Sequence, residues 1–280
     1  MDPDRYCLDA ATPPGSSLYY ATLFAGSRER AAFVAVHALR HALLDIVDTI
    51  ADVNVRASKL NWWSGEIMEA RDGSPRHPVS LAITRSCGKP LWSRPEVLAM
   101  LAAVARVSAA DGIASEAARD AFCVHVGGGT ARLCMAAVES EAGDGARDRI
   151  GALGTALEGA MLAGAPSVRS GLRRLPMSAP HSSGRVAHDD SGSGSGSEQI
   201  AVERARARQA LADAIRGVPP RAGPATLVYR TLAHIQCAAL AKALRKPAGT
   251  APLVASISPI RKLWIAWRGS RGVEHVNPEA

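Results

Sequence analysis

The chain has 280 residues, enough to bury one substantial core, so a single domain over 1–280 is the expected organisation. Apolar residues make up 47% of it but aromatics only 4%, so Ala, Leu and Val must fill the interior, which suits close-packed helices and argues against a β-sandwich. The formal charge of +7, carried mostly by Arg, fits an anionic membrane surface or a phosphorylated small molecule; without zinc-ligand spacing or an aromatic-rich basic strand, no nucleic acid is expected.

The N-terminus, Met1-Asp2-Pro3-Asp4, is acidic and lacks the charged-then-apolar run of an export signal. Helical periodicity begins near residue 27 and runs to 48, with Ala31, Val34, Leu39, Ala42 and Ile46 close to one face. A second helical segment covers about 55–70 and ends at Asp72-Gly73-Ser74-Pro75, a strong stop. His77-Pro78 opens a shorter helix to about 86, and further helices are expected over 97–109 and 115–138, with Ser115 as N-cap. Gly127, Gly128 and Gly129 interrupt the last of these. Three glycines cost roughly 2–3 kcal/mol against alanine inside a helix, so either the helix breaks there or a backbone or ligand approaches closely. Another helix is expected over 147–163.

Between 178 and 197 the composition turns to Gly and Ser, too polar to order itself, and a flexible loop is expected. Helices resume over 198–216 and 224–245, followed by a short basic one at 259–268. Five cysteines, an odd number with no C-x-x-C pair, read as small buried thiols in a reducing compartment. No stretch approaches the roughly 20 apolar residues of a spanning helix. The expected location is cytoplasmic, with a peripheral contact on the inner face of the membrane through Arg261, Lys262, Trp264, Trp267 and Arg268.

Several stretches together resemble the squalene/phytoene synthase family of head-to-head prenyl transferases. They are Gly15-Ser16-Ser17-Leu18-Tyr19-Tyr20 followed by Arg28-Glu29-Arg30; Leu44-Asp45-Ile46-Val47-Asp48 followed by Lys59-Leu60-Asn61-Trp62-Trp63 and Ser74-Pro75-Arg76-His77-Pro78; Phe122-Cys123-Val124-His125-Val126-Gly127-Gly128; and the tail Ile260-Arg261-Lys262-Leu263-Trp264. The resemblance covers nearly the whole chain, and its tryptophan–histidine–proline block is the specific part. It implies an all-α, single-domain, isoprenoid-synthase-like helical bundle around a central cavity. It also implies Ser17, Leu18, Tyr20, His41, Phe122, Gly127 and Gly128 as substrate-binding positions, and prenyl diphosphate or another lipid as the ligand.

The family ionises an allylic diphosphate with Mg²⁺ held by two aspartate-rich motifs on facing helices. Mg²⁺ takes one or two carboxylates plus phosphate oxygens and neutralises charge growing on the leaving group. Framed on the Lys-Leu-x-Trp-Trp block, Leu44 stands where the family's first Asp belongs, Asp48 at the second, Asp45 at the adjacent acid and His41 at a diphosphate-binding Arg. Asp45 and Asp48 are thus the remnant metal candidates, and Mg²⁺ is the one cofactor to expect. In place of the second motif stands Leu157-Glu158-Gly159-Ala160-Met161-Leu162-Ala163-Gly164-Ala165-Pro166-Ser167-Val168-Arg169. Glu158 is its only acid, and Ala165 and Arg169 fall near the metal-binding positions.

Plainer roles compete with each of these. Asp45 and Asp48 can be a solvated helix face, Trp62-Trp63 core packing, His77 a local cap, the Arg204-Ala205-Arg206-Ala207-Arg208 run a solvated face, and the basic helix 259–268 a packing element in place of a membrane contact. The leading expectation is a family member with lost catalysis, acting as a binding, assembly or accessory protein with a lipid, membrane or protein partner. The rival is an active Mg²⁺-dependent transferase that condenses farnesyl or geranylgeranyl diphosphate head-to-head.

Overall fold

The computed structural model describes residues 1–110, 112–164, 193–220, 222–246 and 254–271. These residues are predominantly helical and contain no strand, so the all-α expectation holds. The helices are α1 (Pro3–Ala11), α2 (Ser17–Ala21), α3 (Ser27–Thr49), α4 (Val53–Asp72), α5 (Pro78–Cys87), α6 (Pro95–Ala109), α7 (Glu116–Phe122), α8 (Gly129–Val138), α9 (Asp144–Gly164), α10 (Ser193–Arg216), α11 (Pro224–Leu244) and α12 (Pro259–Ser270). A 3₁₀ turn, Lys89–Ser93, leads into α6.

Local chemistry sets most of the boundaries. Asp52 caps α4 by accepting from the backbone N–H of Asn54 and Val55, which starts the helix two residues before its apolar pattern does. Gly73 ends α4 at φ +97°, a left-handed conformation that disfavours any side chain. Ser16, Ser115 and Ser258 cap α2, α7 and α12 in the same way as Asp52. Proline occupies the first turn of α5, α6, α11 and α12, where no N–H is needed. The helix expected from 198 begins five residues earlier, at Ser193. Up to residue 192, the Gly/Ser-rich segment expected to be flexible lies outside the described residues.

α3 is the central element: Phe33, Val34, Val36, Leu39, Leu43 and Val47 are all buried, and α1, α4, α5, α6 and α8 pack around it. α9 packs against α8, α10 and α11 on the other side of the interior. The buried side chains form one contiguous cluster dominated by Ala, Leu and Val, as the composition requires. The run from α7 through α8, Glu116–Val138, does reach spanning length and apolarity, correcting the sequence expectation, yet most of it is buried between α6 and α9 as a core helix.

The tryptophan–histidine–proline block builds a corner. Glu66, almost fully buried, accepts from the backbone N–H of Arg76 at 2.9 Å and of His77 at 2.8 Å. His77 then caps α5 through Nδ1, and its ring packs against Tyr6, Trp62 and Trp63. These residues fix the turn between α4 and α5.

Candidate functional site

The glycine triplet does not break its helix. Cys123–Gly128 forms a π-helical segment between α7 and α8, a wide turn of the kind that recurs at functional sites. The reason is the approach of α9. A Cβ on Gly127 would overlap Glu158 Cβ and the Gly154 carbonyl, and one on Gly128 would lie 2.6 Å from Thr155 Oγ1 and 3.0 Å from the Gly151 carbonyl oxygen. Gly154 answers in kind, since a Cβ there would meet the Gly127 carbonyl oxygen at 2.5 Å. Gly127 and Gly128 are therefore seats for a neighbouring helix, and Phe122 is buried beside them.

That close approach sets Glu158 in the interior with no exposure, where it meets Arg40 of α3. Arg40 Nη2 donates to both carboxylate oxygens, at 2.7 and 2.5 Å, and the Arg40 side chain keeps only 12% exposure. One turn away on α3, His37 Nε2 shares a hydrogen bond of 3.2 Å with the hydroxyl of buried Tyr229 on α11, which also reaches Cys134 Sγ at 3.7 Å. His37 keeps a partly exposed edge but lies deep between α3 and α11. Burial, with the Arg40 guanidinium as the second cause, lowers its imidazole to about 3. Burial also raises the Tyr229 hydroxyl well above its ordinary value and pushes the Cys123 thiol up to about 12. Around the junction of α3 and α9 the described residues therefore bring together the Arg40–Glu158 ion pair, a neutral imidazole, a neutral phenol and an un-ionised Cys123 thiol.

The sequence-derived positions scatter around this centre. Ser17 and Tyr20 are half-buried and Leu18 is buried on α2, which packs against α11 and α12. His41 and Asp45 are exposed and face a cleft of about 480 Å³ between α1 and α3, with Arg5, Tyr6 and Asp9 opposite. Asp48 is half-buried and already engaged. Leu44, at the first-motif aspartate position, is 2% exposed. Ala165, Pro166 and Arg169 lie outside the described residues.

At its C-terminal end α9 is tied down. Gln236 Nε2 donates to the Ala160 carbonyl, Arg204 Nε to that of Ala163, and the Ala255 N–H to that of Gly164. Arg204 is buried in this role, which corrects the solvated-face reading for this one arginine of the run, while Arg206 is exposed: the helix end has carbonyls to satisfy, and Arg204 reaches one.

A profile described as squalene/phytoene synthase matches residues 11–161. The chain belongs to the squalene/phytoene synthase family. Its fold is that of solved family structures. Squalene synthase HpnC from Alicyclobacillus acidocaldarius is 19% identical and superposes with a TM-score of 0.60, over 88% of this chain and 95% of that one. A dehydrosqualene synthase crystallised with a ligand is 13% identical, with a TM-score of 0.63 over 96% and 95%. No curated protein matches the chain.

Magnesium in this family calls for carboxylates that converge from two helices. Among the described residues no group of three His, Cys, Asp or Glu side chains converges as a metal would require. Asp45 points to the α1 cleft, Leu44 is apolar, and Glu158 is bonded to Arg40. The described parts of α3 and α9 do not offer that donor set.

Sequence reasoning overlooked Arg40, His37 and Tyr229. A signal was present: Glu158 is a lone acid in an apolar run, and a lone acid inside a buried helix needs a partner. Its partner stands 118 residues away, and no local pattern points there.

Proposed function

We propose that this squalene/phytoene synthase-like protein serves isoprenoid metabolism with its catalysis degraded, binding a prenyl diphosphate or another lipid as an accessory protein. The observation that supports this most is the Arg40–Glu158 pair. Ionising a diphosphate demands positive charge in excess, placed where the leaving group gains negative charge. Here Arg40, the cation at the junction of α3 and α9, is already matched by a fully buried carboxylate, and the first-motif helix presents Leu44. A ligand held without such stabilisation is bound and not turned over. We also infer a cytoplasmic protein resting on the inner face of the membrane, where prenyl lipids partition.

The test incubates the protein with labelled farnesyl or geranylgeranyl diphosphate and Mg²⁺ and measures pyrophosphate release, with ligand binding measured in parallel. Binding without release is the expected result. Protein-dependent release would overturn the reading in favour of a Mg²⁺-dependent head-to-head prenyl transferase, for which Asp48 and the remaining half of the first motif would be the starting point.

A further inference from the structure

Helix α12 has two apolar faces, and among the described residues the fold packs against only one. Its inner side holds Ile265 and Ala266, both buried, and Gly269, which lies against Thr231 and Leu227 of α11. Lys262 belongs to this side too. It is 8% exposed and its Nζ donates to the Gly15 carbonyl at 2.7 Å, so it is a structural contact and no part of a membrane surface. The outer side carries Ile260, Leu263, Trp264 and Trp267, at 81%, 41%, 48% and 42% exposure. Their i, i+3, i+4, i+7 spacing makes a continuous outward stripe on a helix whose packing is already satisfied behind it.

The chemistry around the stripe selects what it meets. Residues 259–271 contain no acid. The Arg268 guanidinium sits 4.6 Å from the centroid of the Trp264 ring, and Arg271 sits 4.7 Å from that of Trp267. Each pair presents an indole with a cation over its face, suited to a boundary where acyl chains meet anionic headgroups. Arg261 adds a further charge at the start of the helix. We propose that the outer face of α12 is a docking surface for an anionic lipid bilayer. Ile260, Leu263, Trp264 and Trp267 enter the acyl boundary, and Arg261, Arg268 and Arg271 meet headgroup phosphates.

This deepens the peripheral location read above by assigning it a face, and the experiment separates the two. The full chain is sedimented with vesicles of phosphatidylcholine alone and of phosphatidylcholine mixed with phosphatidylglycerol, at low and high salt. Selective, salt-sensitive binding to the anionic vesicles is expected. Each Arg→Gln change among the three arginines should weaken it roughly fivefold. The exposed pair Trp264→Ser/Trp267→Ser should weaken it at least tenfold while the circular dichroism spectrum stays native. Wild type that ignores both vesicle types sinks the peripheral location itself. Anionic binding that survives the tryptophan changes sinks only this face. A dimer in the absence of lipid, lost in the tryptophan variant, would make the stripe a self-association surface and overturn the lipid assignment.

Discussion

Arg40 and Glu158 invite a double-mutant cycle, because each is close to useless in the interior without the other. Glu158→Met keeps the length and the methylenes that pack over Gly127 while deleting the carboxylate, and Arg40→Met deletes the cation while keeping an unbranched stem as far as the position of Nε. Removing one partner of a buried pair costs about 3–5 kcal/mol, mostly as the penalty of the charge left behind. Glu158→Met should fall near the low end, about 3 kcal/mol, since Arg40 retains 12% exposure and can draw some water. Arg40→Met should cost more, about 4–5 kcal/mol, because Glu158 has no exposure at all. The double variant should return to within about 1 kcal/mol of wild type, since two unbranched apolar chains replace a pair whose desolvation cost nearly cancels its attraction. Urea unfolding followed by far-ultraviolet circular dichroism gives all four free energies. Single losses below about 1 kcal/mol, or a double variant equal to the sum of the singles, would show that the two side chains are not coupled as the 2.5 and 2.7 Å contacts imply.

Three further outcomes follow from the same interior. Gly127→Ala should destabilise by about 1–3 kcal/mol or more, because its Cβ would overlap the Gly154 backbone; Gly129→Ala, whose nearest neighbours are 3.8 Å away, should be neutral or gain a few tenths of a kcal/mol to about 1, and thermal melting ranks the two. His37 titrates near 6.5 when unfolded and about 3 when folded, so between those values the unfolded chain holds one more proton. Stability from this group is therefore complete above pH 6.5 and falls as the pH drops towards 3, by up to about 1.4 kcal/mol per pH unit, and His37→Gln should flatten that slope in pH-dependent urea melts. Leu44→Asp combined with His41→Arg should not produce pyrophosphate release from farnesyl diphosphate, since His41 faces the α1 cleft and the opposing acid on α9 stays bonded to Arg40; release by this variant alone would show that α9 had been overrated as the obstacle.

How far the fold was legible depended on the reach of the interactions that specify it. The α4 stop was readable because Asp72, Gly73 and Pro75 act locally, and the end of α4 falls there. α1 went unseen because only Cys7 of its nine residues is buried, leaving little apolar pattern to detect. On α3 the motif frame says nothing of phase. At about 100° per residue, positions 37, 40, 44 and 48 share one side while 38, 42 and 45 share the next, and 41 falls on the border between them. The motif frame set His41 at the position of a diphosphate-binding Arg, and the structure shows it exposed, lining the cleft between α1 and α3. The glycine triplet was recognised as a place where something must come close. Which helix came close depended on Gly151 and Gly154, more than twenty residues downstream, and no local signal names them.

The wide turn at Cys123–Gly128 also bears on how the chain tolerates changes in length. A π turn accommodates one residue more than an α turn while the helix on either side keeps its phase. Elsewhere in a buried helix, losing a single residue swings everything after it by about 100° and turns core side chains outward. Here the same loss has slack to draw on. Without Val124 or His125 the segment can tighten into ordinary α geometry, leaving α7 and α8 facing as they do now. The surplus residue gives the bundle a place where an insertion or deletion is absorbed within one turn, close to its most crowded helix crossing.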